Sequence, residues 1–298
     1  MSFNFTATLS SMVHGLCYAL VSVVFIFLAK KLDDWRTKDF DDDRHIDDGN
    51  VAVGLRRAGL YLGIAIGMTG ALSGDSAGFG NDMLYLLADG VVITGCLFLS
   101  RFINDCIMMG NMDNDRECVK VFILGDGRTT VGNTALGMVE AGMYIATGFI
   151  LSGSMSGGGG SFFQSLASAL VFFILGQVVL LIFGLVYELI TPFHVRDEIK
   201  QNNPAAGIGL AGILVALGII LKGSLAGPFT GWVNDITGFF IYTVFGMILL
   251  LGFSVLVDRF LLPTTNIATE IKEDKNVAAL VVVQATIIAL ALIIAHAI

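Results

Sequence analysis

The segment at residues 49–63 reads GNVAVGLRRAGLYLG, and similar segments occur three more times in the chain. The later copies are GNTALGMVEAGMYIA at 132–146, NNPAAGIGLAGILVA at 202–216 and KNVAALVVVQATIIA at 275–289. Each copy has an asparagine in second place and an alanine two residues after it. In three copies glycine, alanine and glycine follow at the fourth, eighth and ninth positions after the asparagine. Self-similarity of this kind indicates one structural unit used repeatedly.

The composition is that of a membrane protein. The 298 residues are 55% hydrophobic and 14% charged, and the mean hydropathy is +0.80. A soluble domain usually carries about 25% charged residues. Eight apolar runs are long enough to cross a bilayer, at about 11–29, 51–73, 84–104, 131–153, 162–188, 205–226, 236–257 and 277–298. We predict an all-α, polytopic membrane helix bundle of eight transmembrane helices.

The distribution of Lys and Arg predicts the orientation. Sixteen of the 17 basic residues lie at or between the ends of helices one and two, three and four, five and six, or seven and eight; Lys222 is the exception. The positive-inside rule places these loops in the cytoplasm and both termini in the periplasm. The net charge of −8 belongs to loops and excludes a nucleic-acid-binding surface.

Each unit contributes two spans, so the four units enter the membrane in the same orientation, as parallel two-helix repeats. The glycine-rich run SGSMSGGGGS at 152–161 is expected to be a flexible linker. It divides the chain into a first membrane half, 1–155, and a second, 156–298. Each half holds two repeat units and four helices.

The repeated residues indicate architecture. An asparagine where a loop becomes a helix caps the helix by accepting a hydrogen bond from a free backbone N–H, and we assign this role to Asn50, Asn133, Asn203 and Asn276. Small residues let helices approach closely in lipid. We therefore expect the four asparagine-led helices to pack against each other at the centre, with the longer helices facing lipid. If they surround a common axis, Arg57 and Glu140 could pair there.

Polar residues inside the apolar spans are the candidate functional residues, because ionisable groups in a bilayer are costly. Arg57 and Glu140 occupy the seventh position after the asparagine in the first two units, about 10 Å inside the cytoplasmic end. We hypothesise a buried Arg57–Glu140 pair. The alternative is that Arg56 and Arg57 extend to the headgroups and leave Glu140 to another polar partner. Gln284 should lie at nearly the same depth.

Other chemistry is not indicated. The first cytoplasmic loop holds eight Asp between residues 33 and 48, but five Lys or Arg lie from Lys30 to Arg44 and no EF-hand spacing is present. We expect a solvated or partner-docking loop rather than a metal site. We identify no nucleophile–base pair, metal-ligand spacing or phosphate loop, and predict neither an enzyme nor a cofactor.

The repeated motif resembles a YjfL-like bacterial inner-membrane family, the domain of unknown function 350 of the UPF0719 type. The matching residues are Asn50, Ala52, Gly54, Ala58 and Gly59 in the first unit, Asn133, Ala135, Gly137, Ala141 and Gly142 in the second, and Asn203, Ala205, Gly207, Ala211 and Gly212 in the third. The fourth unit departs at Leu280, Gln284 and Ala285. Members of that family resemble half of this chain, with two units and four helices, so the resemblance implies a doubled version of the family.

The resemblance implies the bacterial inner membrane, beside a membrane-associated coat or stress protein on the cytoplasmic face and polyamine-linked enzymes. It implies no catalytic residues. We therefore expect a non-enzymatic component of envelope maintenance or of a membrane stress complex, embedded in the lipid bilayer and able to form a homo-oligomer. The alternative is a channel or transporter for a small cation or polyamine, with Arg57, Glu140 and Gln284 lining the path.

Overall fold

The fold is known from a computed structural model that describes residues 5–38, 40–74, 76–110, 112–123, 129–156, 162–261 and 265–297. Within these residues, eight helices are long and apolar enough to cross a membrane. The predicted all-α bundle of eight spans is therefore confirmed. The predicted glycine linker falls largely on residues 157–161, which lie outside the described residues.

The order of elements is the same in the four units: a long helix, a short helix and an asparagine-led helix. The first unit is α1 (Phe5–Arg36), α2 (Asp42–Asp47) and α3 (Val51–Ala71). The second has α4 (Phe79–Ile103), a π-helical turn (Asn104–Met108), α5 (Asn114–Glu117), an antiparallel pair of strands β1 (Val121–Ile123) and β2 (Thr129–Val131), and α6 (Thr134–Met155). The third and fourth units are α7 (Phe162–Ile190), α8 (Val195–Lys200), α9 (Pro204–Leu225), α10 (Trp232–Leu261), α11 (Ile267–Lys272) and α12 (Val277–Ala297).

The start of each asparagine-led helix has the same geometry. The side-chain oxygen of the asparagine accepts a hydrogen bond from a first-turn N–H, at 3.2, 2.9, 3.1 and 3.2 Å for Asn50, Asn133, Asn203 and Asn276. Such a cap stabilises a helix by about 0.5–2 kcal/mol. The preceding residue is left-handed in all four units, with φ of +83°, +89°, +57° and +48° at Gly49, Gly132, Asn202 and Lys275. We call this end of the bundle the asparagine end.

Three of the asparagines also tie their unit to the next one. The side-chain nitrogen of Asn50 donates to the carbonyl oxygen of Cys118 at 2.9 Å. In the same way Asn133 donates to Ile199 at 2.8 Å, and Asn203 to Ile271 at 2.7 Å. The acceptor lies in the segment that leads into the next asparagine-led helix. The asparagines therefore join units as well as cap helices, which the sequence analysis did not anticipate.

The asparagine-led helices form a row in which α3 packs on α6, α6 on α9 and α9 on α12. They run parallel, because Gly137 meets Ala52 near the asparagine end and Gly70 meets Ser152 near the other end. The helices therefore do not surround a common axis, which was the condition for pairing Arg57 with Glu140. Small residues on two faces of α6, such as Gly137 and Gly142, give it a neighbour on each side, so α6 and α9 lie inside the row and α3 and α12 at its ends.

The long helices flank this row. The first long helix, α1, packs on α3 and α4, α7 packs on α6 and α9, and α10 packs on α9 and α12. Large apolar side chains such as Leu16, Phe27 and Ile248 are more than half exposed on them, as suits surfaces that face lipid.

Candidate functional site

The asparagine end contains a group of ionic side chains, which we call the charge cluster. Its buried members, each 4% exposed or less, are Asp33, Asp42, Arg56, Arg57, Arg101 and Glu140. Partly exposed partners complete it: Asp34, Arg36, Asp43, Asp105 and Asp115. Because an isolated buried charge is very costly, such groups must be paired. Every buried member has an ion-pair partner within 4.0 Å.

Arg57 is paired within its own unit. Its guanidinium contacts the carboxylates of Asp34, Asp42 and Asp43, with the Asp42 contact at 3.2 Å. Asp34 lies on α1, and Asp42 and Asp43 lie on α2. The hypothesised Arg57–Glu140 pair is therefore wrong, because the folded first loop brings three carboxylates to Arg57.

Arg56 joins the first two units. Its Nη2 donates to Asp42 at 2.8 Å and its Nη1 donates to Asp115 at 3.0 Å. Asp115 lies on α5 of the second unit and also accepts hydrogen bonds from Arg36 at 2.6 Å and from Arg101. One carboxylate thus holds arginines from α1, α3 and α4. The sequence analysis treated Arg56 only as a residue that extends to the headgroups, and it missed Asp115, which nothing in its loop singles out.

Glu140 on α6 pairs with Arg101 on α4. The Nη2 of Arg101 lies 3.9 Å from Glu140 Oε1, and the Sγ of Cys118 lies 4.0 Å from Glu140 Oε2. Arg101 also approaches Asp33 at 3.7 Å and Asp105 at 3.5 Å. One feature of the sequence could have identified Arg101 as a partner for a buried carboxylate: it is a basic residue inside the apolar run 84–104, where a charge needs a partner.

The electrostatics of this cluster keep two of its carboxylates, Asp115 and Asp43, ionised. Burial raises the pKa of Asp115, but Arg101, Arg36 and Arg56 outweigh burial and lower the pKa to about 2. The hydrogen bond from Lys30, helped by Arg57, lowers the pKa of Asp43. Burial raises the pKa of the Cys118 thiol, and the neighbouring Glu140 adds to this effect. The cysteine beside Glu140 is therefore a neutral thiol.

Gln284 lies apart from the charge cluster. It is 4% exposed on α12, packs against Gly212 of α9, and lines an apolar cavity of about 120 Å³ with Phe183, Tyr187 and Leu250. The structure therefore does not bring Arg57, Glu140 and Gln284 together. The prediction considered only how deep each residue lies in the membrane. Residues at a similar depth are not brought together here, because they belong to three different helices of the row.

The aspartate-rich first loop is folded rather than fully solvated. Asp33 and Asp42 are buried, and Asp34 and Asp43 hold Arg57 and Lys30. Over the described ranges, which omit Asp39, no group of three His, Cys, Asp or Glu side chains is arranged to hold a metal ion. The carboxylates of this loop act as partners for arginines.

Two spaces bear on transport. The space beside Glu140, lined by Arg101, Asn104, Met143 and Tyr144, is too narrow for a water molecule. A polar cavity of about 220 Å³ lies at the end of the bundle opposite the asparagine end, between α6, α7, α9 and α10. Its lining includes Ser154, Ser168 and Asp235, and none of Arg57, Glu140 and Gln284.

Comparison with known proteins gives a family and no activity. The family model described as Domain of Unknown Function (DUF350) matches residues 7–155 and again residues 161–298. A protein named UPF0719 transmembrane protein, from Aquifex aeolicus (strain VF5), is 26% identical over 245 residues, which cover 82% of this chain and 84% of the relative. No solved structure matches the chain.

Proposed function

Because the chain belongs to the DUF350 family of transmembrane proteins, whose description states no activity, we propose that it is a non-enzymatic membrane scaffold. It acts in envelope maintenance, or as the membrane anchor of a stress complex. The bias of Lys and Arg supports an asparagine end in the cytoplasm and a location in the bacterial inner membrane. A membrane-associated coat or stress protein would then meet the chain on that face.

One observation carries this proposal: in the described part of the chain, the space beside Glu140, where a transport path was expected, does not admit water. A transporter for a cation or polyamine needs a polar, hydrated route that reaches its intramembrane carboxylate. Glu140 instead pairs with Arg101 in a space too narrow for water. The neighbouring helices touch through backbone, as at Gly137 against Ala52 and Gly207 against Ala135. Such contacts support a rigid structural role.

A flux assay tests the proposal. Purified protein is placed in liposomes, and uptake of K⁺, H⁺ and spermidine is measured for the wild type, for Glu140→Gln and for protein-free vesicles. We expect no flux above the protein-free level in either protein. Flux through the wild type that is lost in Glu140→Gln would establish the transporter instead.

A cellular assay tests the scaffold role itself. Cells that lack the chain are compared with cells that express the wild type or Gly142→Val, whose added side chain meets the backbone of Ala211. We expect the deletion to increase proton leakage across the membrane under envelope stress. Expression of the wild type, but not of Gly142→Val, should return the leakage to its normal level. Gly95→Val is the matched control, because nothing lies within 4 Å of a side chain at Gly95. Unchanged leakage in the deletion strain would contradict the proposal.

A further inference from the structure

The row of asparagine-led helices has two uncovered ends. At one end, the α12 residues Ala278 and Ala285 are exposed. At the other end, Ala58 on α3 is exposed, and nothing lies within 4 Å of a side-chain carbon built at Gly54. In lipid, uncovered small residues on a helix face permit close approach of another helix.

The three junctions inside the row show how such faces fit together. Counting from each asparagine, the ninth residue of one helix meets the eighth residue of the next helix in every junction: Gly59 with Ala141, Gly142 with Ala211, and Gly212 with Gln284. In two junctions the fourth residue of the later helix meets the second residue of the earlier one: Gly137 with Ala52, and Gly207 with Ala135. The register is therefore the same from junction to junction.

The uncovered residues are the counterparts of these contact positions. Ala278 and Ala285 are the second and ninth residues after Asn276. In the internal junctions these positions contact the following helix. Gly54 and Ala58 are the fourth and eighth residues after Asn50. In the internal junctions these positions contact the preceding helix. The α12 end thus has the contact face that packs on a following helix, and the α3 end has the contact face that packs on a preceding helix.

A hydrogen-bonding position is also unfilled at the α12 end. The other three asparagines donate from their side-chain nitrogen to the next unit, whereas that of Asn276 has no acceptor within the described residues. The acceptor used by Asn133 is the carbonyl of Ile199, which also accepts from Asn202 N at 2.9 Å. Ile46 lies four residues before Asn50, as Ile199 lies four residues before Asn203, and its carbonyl likewise accepts a hydrogen bond from Gly49 N at 2.9 Å. It is the counterpart acceptor for Asn276.

We propose that the chain associates head to tail with a second copy of itself, with α12 of one copy against α3 of the next. Ala285 faces Ala58, Ala278 faces Gly54, and the Asn276 side chain donates to the carbonyl of Ile46 across the junction. Because Ala285 stands where the internal junctions have glycine, the two helices lie slightly farther apart than the internal ones. The occupant is another copy because both halves of the junction, in the register of the internal ones, are present on one chain. The contact is heterologous, so it produces a ring if the rotation closes and a linear array if it does not.

Disulfide crosslinking in native membranes tests this contact. The background carries Cys17→Ser and Cys106→Ser, which removes the two cysteines that are not buried. At the internal counterpart, a side-chain carbon built at Gly142 would lie 2.9 Å from Ala211 Cβ. The slightly wider spacing at Ala285 brings the two Cβ atoms toward the separation of about 3.5–4.5 Å that a disulfide needs. We expect Ala58→Cys with Ala285→Cys to give crosslinked dimers on oxidation. The matched control is Ala58→Cys with Val255→Cys, a 67% exposed position on α10, and it should give only the single-cysteine background.

A second measurement uses the mass of particles extracted with their native lipid. We expect multiples of the 31.7 kDa chain for the wild type and for Val255→Trp, and a single chain for Ala285→Trp. Equal crosslinking in both cysteine pairs, a single-chain mass for the wild type, or a crosslinked product holding one copy bound to another protein would overturn the proposal. These readouts are independent of the flux assay, so this inference and the scaffold proposal fail separately.

Discussion

At the scale of single residues, Asp115 is the carboxylate of the charge cluster that binds the most arginines among the described residues. It accepts hydrogen bonds from Arg36, Arg56 and Arg101, which come from three helices. Removing one partner from a buried ion pair leaves an uncompensated charge, and this costs much more than an exposed pair contributes. The carboxylate of Asp115 therefore holds together helices that would otherwise bring three like charges into one place.

Replacing Asp115 by Asn should destabilise the protein by about 3 kcal/mol, the lower end of the range for a broken buried pair, because Asp115 is partly exposed. The free energy of unfolding is measured by titrating the detergent-solubilised protein with dodecyl sulfate. Asp113→Asn is the control: Asp113 is 57% exposed, and asparagine keeps its capping ability. The control should change stability by about 0.5 kcal/mol or less. Equal effects of the two substitutions would contradict this role for Asp115.

Acid should weaken the fold through the same carboxylate. The pKa of Asp115 is about 2 in the folded protein, and it is about 3.9 for an aspartate in an unfolded chain. Because the folded pKa is the lower one, the stabilisation is complete above about pH 4 and is lost as the pH falls towards 2. We expect unfolding titrations between pH 5 and 2 to show this loss, and Asp115→Asn to reduce it. A loss of the same size in the variant would assign the acid sensitivity to other groups.

The sequence predicted part of this site. It identified Glu140 as an intramembrane carboxylate that needs a partner, and Glu140 is buried beside Arg101. It did not predict the partners, because Asp33, Asp42 and Asp115 lie in loop or helix-end segments whose composition reads as solvated. Their burial depends on how the loops fold back on α3 and α4, and local sequence does not specify this.

At the scale of helices, the asparagine-led elements are positioned by glycine. A side-chain carbon at Gly137 would lie 2.5 Å from the carbonyl oxygen of Ala52, and one at Gly142 would lie 2.8 Å from Cα of Ala211. Both neighbours are backbone atoms, which do not move aside as a flexible side chain does. Small-residue spacing was therefore sufficient to predict which helices pack together. It did not distinguish a ring from a row, because that depends on the angle between the two small faces of α6.

Gly142→Val should destabilise the bundle by about 1–3 kcal/mol or more, the cost of overpacking a close contact. Gly95→Val on α4 should be neutral or slightly stabilising, because its side chain would meet nothing within 4 Å and valine favours a helix more than glycine does. Thermal unfolding in a mild detergent compares the two variants. Similar melting temperatures for both would show that the α6–α9 contact does not need glycine.

At the scale of the whole molecule, the charge cluster and the helix row meet near the asparagine end, where the space beside Glu140 is too narrow for water. Arginines from α3 and α4 are held by carboxylates from α1, α2 and α5, and Glu140 closes the group from α6. The transport alternative drawn from the sequence placed Arg57, Glu140 and Gln284 on one path. They lie in separate environments because the row spreads the units sideways. The central claim is that, among the residues the structure describes, no hydrated route reaches Glu140.

The native cysteines test that claim most directly. Cys118 is buried 4.0 Å from Glu140, whereas Cys106 is exposed and serves as the internal control. The protein in liposomes is treated with a small water-soluble maleimide, and labelling of each cysteine is followed by mass spectrometry. We predict that Cys106 is labelled and that Cys118 stays unlabelled until the protein is denatured. Labelling of Cys118 in the folded protein at a rate close to that of Cys106, slowed by added spermidine, would contradict the account.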